Sequence, residues 1–221
     1  MNLEQARSNM VEQQIRPWEV LDQGVLDLLY AVPREEFVPP SCRNLAFSDM
    51  EIPIGDGEKM WPPKLEARVL QELAPKRSDR VLEVGTGSGY FTALLAHRSA
   101  HVYSVEIRPA LAAFGRSNIA RHGLDNVTLA TGDGARGVPR EIPYGGPYDI
   151  VVLTGSVPLL PKGLLDALAL GGRAFAVVGE APVMTAKIIA CTAPGALHGV
   201  DLFETLLAPL ANCEQSSRFS F

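Results

Sequence analysis

The run Val81-Leu82-Glu83-Val84-Gly85-Thr86-Gly87-Ser88-Gly89-Tyr90 decides how this chain is read. It opens on a short apolar stretch broken only by Glu83, which suits a buried strand better than a helix. Three glycines then alternate with small polar residues, and a helical pattern takes over at Tyr90. Gly85 and Gly87 permit positive φ and close backbone approach, while the free N–H groups of the first helical turn face the same crevice. That arrangement suits a nucleotide-like ligand. The spacing is G-x-G-x-G, because the position three after Gly87 is Tyr90, so the dinucleotide fingerprint G-x-G-x-x-G is not met.

Outward from this turn, from Arg80 onward, a short apolar run, a glycine or acid, and a longer helical run follow one another repeatedly. The alternation predicts an α/β fold, a Rossmann-like, doubly wound and mostly parallel sheet with helices on both faces. Strands are expected at Arg80–Val84, Val102–Val105, Val127–Ala130, Ile150–Leu153 and Arg173–Val178, and helices at Tyr90–His97, Pro109–His122 and Pro161–Leu168. Lys187–Thr192, Thr205–Leu207 and the alternating Arg218–Phe221 are candidate antiparallel strands closing one edge. Upstream, the period of Leu3–Ile15 predicts an amphipathic helix ended by Arg16-Pro17. A second helix, Val20–Ala31, turns Val25, Leu26, Leu28 and Leu29 inward and stops at Val32-Pro33. Prolines and glycines between Phe37 and Pro63 leave room for one short strand before a helix over Lys64–Leu73. The expectation is a single domain over 1–221, with a helical and loop extension at 1–75 and an α/β core at 76–221.

Acidic residues fall where such a fold would use them. Glu106 closes the second core strand, 21 residues after Gly85, and a carboxylate there can accept from both hydroxyls of a ribose. Asp133, between Gly132 and Gly134, follows the third strand and could accept from an adenine amino group; Thr154-Gly155-Ser156 follows the fourth. Candidate ligand-binding residues are therefore Glu83, Gly85, Thr86, Gly87, Ser88, Gly89, Glu106, Ile107, Asp133, Gly134 and Thr154. In the plainer alternative the glycines only make turns and Glu106 is a solvated surface acid.

The 221 residues carry 20 basic against 25 acidic side chains, a formal charge of −5, which argues against a broad phosphate-binding surface and a nucleic-acid partner. Three cysteines without a C-x-x-C pair read as reduced thiols in a cytoplasm. No signal-peptide order opens the sequence, and no stretch reaches the roughly 18 apolar residues that span a bilayer, so no membrane association is expected. His97, His101, His122 and His198 lack metal-ligand spacing, and no metal is expected. Ser88 and Ser156 lack the G-x-S-x-G of a nucleophile elbow. The 20 glycines and 17 prolines concentrate at strand ends and in the segment before Pro63, as turn chemistry.

With Glu83 two residues before Gly85, the glycine turn resembles motif I of class I S-adenosylmethionine-dependent methyltransferases. Met10-Val11, Gln14-Ile15, Val32-Pro33-Arg34-Glu35-Glu36-Phe37-Val38-Pro39, Phe47-Ser48-Asp49 and Ile52-Pro53-Ile54-Gly55-Asp56-Gly57 resemble the N-terminal segment of protein-L-isoaspartate O-methyltransferases. The likeness continues through Gly132-Asp133-Gly134, Pro147-Tyr148-Asp149-Ile150 and Gly171-Gly172, covering residues 7 to about 180. It implies S-adenosyl-L-methionine as cofactor, damaged proteins or peptides as partners, and methyl transfer to the free carboxylate of an isoaspartyl residue. The family follows its G-x-G with Gln-Thr-Ile-Ser-Gln-Pro; this chain reads Glu58-Lys59-Met60-Trp61-Pro62-Pro63. Trp61, in the serine's place, is the candidate catalytic-site residue, either filling acceptor space or stacking as a wall, with Lys59 and Met60 as substrate-loop residues. Two alternatives stay open: a methyltransferase of the same fold with another substrate, and a non-catalytic cofactor-binding protein.

Overall fold

The computed structural model describes residues 2–215. Helices are α1 (Leu3–Met10), α2 (Gln23–Ala31), α3 (Pro63–Leu73), α4 (Tyr90–Arg98), α5 (Pro109–Arg121) and α6 (Lys162–Leu165). Strands are β1 (Ile52–Gly55), β2 (Glu58–Met60), β3 (Arg80–Val84), β4 (His101–Glu106), β5 (Val127–Thr131), β6 (Tyr148–Val157), β7 (Leu168–Glu180), β8 (Val183–Ala193) and β9 (Ala196–Glu204). The main sheet has the order β5-β4-β3-β6-β7-β8-β9. It is parallel from β5 to β7 and antiparallel through β8 and β9. The chain runs outward from β3 to β5 and then returns to β6 beside β3, so the glycine turn after β3 lies at the topological switch point, where open α/β sheets bind ligands.

Strand alternation divides the core. Val81, Val102, Ile150, Val152, Phe175 and Val177 face the layer containing α3, α4 and the N-terminal extension. Leu82, Val84, Val105, Val151 and Leu153 face the other side, where Ile142, Leu164 and Cys213 cover them. Helices occupy both faces, as the pattern predicts, but the second face carries one short helix, α6, and loops.

The extension departs from expectation in detail. The Leu3–Ile15 helix is α-helical to Met10, widens into a π-turn over Val11–Ile15 and, instead of ending at Arg16-Pro17, tightens into a 3-10 turn over Arg16–Trp18 that stops at Glu19, whose φ is 61°. Instead of one short strand, β1 and β2 form a hairpin whose Asp56 and Gly57 take φ of 52° and 80°, the positive pair that a two-residue turn needs. In the core, the helix expected over Pro161–Leu168 shrinks to Lys162–Leu165. Leu168 already pairs with Tyr148, and the Tyr148 N–H donates to Ala167 O. Lys187–Thr192 lies within β8, but Thr205–Leu207 is not a strand; the chain beyond β9 bonds instead to Ser156, whose N–H donates to Ala208 O and hydroxyl to Leu207 O. The expected strand at Arg218–Phe221 lies outside the described residues.

Candidate active site

A cavity of about 490 Å³ opens between the β1–β2 hairpin and the carboxyl ends of β3 to β6, a size ordinary for a small-molecule site. Its floor is the glycine turn. Gly85 and Gly87 take φ of 102° and 53°, and a Cβ on Gly85 would collide with Thr154 Oγ1. Thr154 donates to the carbonyls of Val84 (2.9 Å) and Gly85 (2.8 Å), clamping β6 to the turn. A Cβ on Gly134 would meet Val105 Cγ1 at 2.7 Å, so this position too is open only because a side chain is missing.

Glu106, at the end of β4, is buried and lines the cavity. Its Oε2 accepts from Gly87 N–H (2.9 Å) and its Oε1 from Arg108 N–H (3.0 Å), so the carboxylate is fixed in place while each oxygen keeps a lone pair. Ile107 and Leu111 stand beside it. Asp133 accepts from Ala135 N–H and from Asn212 Nδ2 (2.8 Å).

Above the floor, β2 supplies Lys59, exposed and paired with Glu51 (2.9 Å), and the buried Met60. Trp61 is buried in the wall, its ring 5.4 Å from Phe91 and 6.0 Å from Phe175. Its carbonyl accepts from Arg34 Nη2 at 2.6 Å. The Arg34 guanidinium is buried, donates Nε to Ala46 O (2.8 Å), contacts the Glu66 carboxylate and lies 4.9 Å from the Tyr90 ring centroid. Burial pushes the Glu66 carboxyl up to about 8 against the pull of Arg34.

Most of the residues expected from sequence meet in this cavity: Lys59, Met60, Trp61, Gly85, Thr86, Gly87, Ser88, Glu106, Ile107, Asp133, Gly134 and Thr154. Two stand apart. Glu83 points to α4, where Thr92 and Ser104 donate to its Oε2 at 2.5 and 2.6 Å. Gly89 packs against α5, and a Cβ there would lie 3.1 Å from Gly115 O. Tyr90 turns toward Arg34 and Phe37, and Trp18 packs on Phe203. Sequence reasoning missed Glu66, hidden as one acid in an amphipathic helix, and the wall formed by Leu206–Ala211; the segment around Pro209 has no periodicity to reveal it. Among the described residues no group of three or more His, Cys, Asp or Glu is placed to hold a metal, and no helix is long and apolar enough to cross a membrane.

The switch-point turn, the fixed acid after the next strand and the hairpin roof define a class I methyltransferase fold. Residues 5–215 match the Protein-L-isoaspartate(D-aspartate) O-methyltransferase (PCMT) family. The chain belongs to that family and is an S-adenosylmethionine-dependent O-methyltransferase of it. A protein-L-isoaspartate O-methyltransferase of Methanoculleus marisnigri is 42% identical over 173 residues, 78% of this chain and 77% of that one. One from Hyperthermus butylicus is 34% identical over 217 residues, 93% of this chain and 88% of that one. The crystal structure of a Plasmodium falciparum protein described as a protein-L-isoaspartate O-methyltransferase, in complex with S-adenosyl-L-homocysteine, superposes with a TM-score of 0.80. It shares 22% identity and covers 95% of this chain and 98% of its own, which establishes the common fold.

Proposed function

We propose that this chain, as one methyltransferase domain, methylates the free carboxylate of L-isoaspartyl residues in damaged proteins and peptides of the cytoplasm, in the cavity under the β1–β2 hairpin. The observation that carries the reading is the junction at Gly87, where the glycine turn is hydrogen-bonded to the buried Glu106 carboxylate beneath the Met60–Trp61 strap. The donor set fits S-adenosylmethionine: the backbone of Gly85, Thr86, Gly87 and Ser88 would cradle it where a Cβ on Gly85 or Gly87 would intrude, Glu106 would accept from ribose hydroxyls, Ile107 would flank the adenine, and Asp133 with Gly134 would meet its amino edge. When bound, the cofactor supplies a sulfonium methyl group with a neutral thioether as leaving group.

The chain has little activation to perform. An acceptor carboxylate with an ordinary pKa near 4 is already anionic at pH 7, so no proton need be removed from it. Met60, Trp61 and Phe91 form an apolar wall that excludes water, and the clamp of Thr154 on the glycine turn holds the floor rigid, so catalysis rests on alignment and desolvation. Lys59, at the exposed edge, adds a cation on the acceptor's approach.

Trp61 in place of serine favours a second reading, a methyltransferase of this fold with another acceptor. Labelled S-adenosylmethionine incubated with an isoaspartyl peptide and with its aspartyl counterpart separates the two. The proposed function expects label in the isoaspartyl peptide alone; no label in either peptide would leave the second reading standing.

A further inference from the structure

Trp61 offers an acceptor carboxylate no hydroxyl from the cavity wall, and the hydroxyl protons of Thr86 and Thr154 are spent within the protein. Thr86 pairs with Ser104 (2.6 Å), Thr154 donates to the carbonyls of Val84 and Gly85, and Ser88 Oγ accepts from Tyr90 N–H inside the glycine turn. Lys59 is paired with Glu51. Glu66, in the first turn of α3, is 2% exposed and lines the cavity. Its Oε2 takes the contact from Arg34 Nη1, whereas its Oε1 has no hydrogen-bond partner among the described residues. The orphan oxygen of Glu83 is sealed in the core; that of Glu66 belongs to a side chain on the cavity wall.

Resting on the isoaspartyl reading, we propose that Glu66 is the acceptor-positioning residue, its protonated carboxyl anchored through Oε2 on Arg34 and donating from Oε1 to the substrate carboxylate. A single proton between two neighbouring carboxyl groups turns their repulsion into a charge-assisted hydrogen bond. Arg34 does not line the cavity; it is fully buried behind Glu66, with Nε on Ala46 O and Nη2 on Trp61 O.

The groups facing Glu66 are Arg34, Tyr90 from α4 and Glu83 from β3, with the Arg7–Glu35 pair behind Tyr90. Burial lifts Glu66 to about 8, so the donor is present at neutral pH and lost as pH rises through that value. Burial holds Tyr90 well above its ordinary value, and Glu83, raised to about 7, titrates lower and faces α4.

The test compares wild type, Glu66→Gln, Glu66→Ala and Glu83→Gln, full length, by isoaspartyl-peptide kinetics and by peptide calorimetry on the S-adenosylhomocysteine-loaded protein. Between about pH 7 and about pH 9 the wild-type KM should rise about tenfold with kcat little changed. Glu66→Gln, which keeps an N–H donor and an acceptor for Arg34, should hold the neutral-pH KM within about threefold and abolish the rise. Glu66→Ala should lose about tenfold or more in KM at neutral pH, and Glu83→Gln should keep the alkaline rise. An infrared band of a protonated carboxyl at neutral pH that persists in Glu83→Gln and is absent when Glu66→Gln is added to it should appear whether or not the alanine variant folds. A flat wild-type profile, or no such band, overturns the proposal while leaving isoaspartyl methylation intact. Loss of kcat in Glu66→Gln with peptide binding retained also overturns it, by making Glu66 a base. Wild type that labels no isoaspartyl peptide overturns the functional reading and the proposal together.

Discussion

Glu83 precedes the glycine turn by two residues, yet strand alternation points it away from the cleft, onto the hydroxyls of Thr92 and Ser104. Its other oxygen, Oε1, is buried without a partner, and burial raises the carboxyl to about 7. The folded state therefore binds a proton that the unfolded chain releases near its ordinary value. Stability from this group is present at low pH and is lost as pH climbs from the unfolded value toward 7 and beyond. Glu83→Gln should remove that slope and stabilise the protein at pH 8 by up to about 3 kcal/mol relative to wild type, with little difference at pH 5. Urea denaturation at the two pH values measures it, and equal shifts at both would show that the carboxyl is already charged in the folded protein. The position of Glu83 was legible in the sequence, but which way it faced was not, because one strand residue more or less exchanges the two faces. Glu106 was legible in position, and the structure turns it into the switch-point crevice rather than leaving it a solvated surface acid.

The strands from β3 to β7 could be read as elements because buried parallel strands are compressed into short β-branched runs bounded by glycine or acid. β9 could not: as an edge strand it is exposed along most of its length, and its apolar Leu197, Val200, Leu202 and Phe203 follow no period of two, so the expected strand fell on Thr205–Leu207 instead. The hairpin was not legible beyond one short strand, because its strands are only four and three residues long among prolines and glycines. Helix α5 holds a feature that periodicity ignores. A Cβ on its Gly115 would lie 2.9 Å from Thr86 Cγ2 and 3.0 Å from Gly87 O, so this glycine sets how closely α5 approaches the turn. Gly115→Ala should push the turn out of place, weakening S-adenosylhomocysteine binding about tenfold or more by calorimetry and costing about 1–3 kcal/mol of stability. Wild-type affinity in a folded Gly115→Ala protein would show that the helix moves without disturbing the cradle.

At the scale of the whole molecule, the boundary near residue 75 that composition suggests is not a boundary in packing. One apolar cluster runs from Met10, Ile15 and Leu26 through Leu70 to Val81, Phe175 and Ala186, joining the extension to the sheet. Arg173 of β7 reinforces the junction, donating to Leu73 O, to Ala74 O at 2.8 Å and to Asp79 at 3.2 Å, which caps the C-terminal carbonyls of α3. The chain has two tryptophans, and both lie in the extension against rings of the core: Trp18 on Phe203 of β9, Trp61 on Phe91 of α4 and Phe175 of β7. Indole fluorescence therefore reports the docking of the extension, while far-ultraviolet circular dichroism is dominated by the larger core. If the shared cluster makes extension and core one cooperative unit, the two signals must lose amplitude at the same denaturant concentration. Arg173→Ala should move both midpoints down together, by about 1–3 kcal/mol, because it orphans carbonyls at the junction without creating a new boundary. A fluorescence transition that precedes the dichroism transition, in wild type or in Arg173→Ala alone, would mean that the roof over the active site can undock while the sheet stays folded.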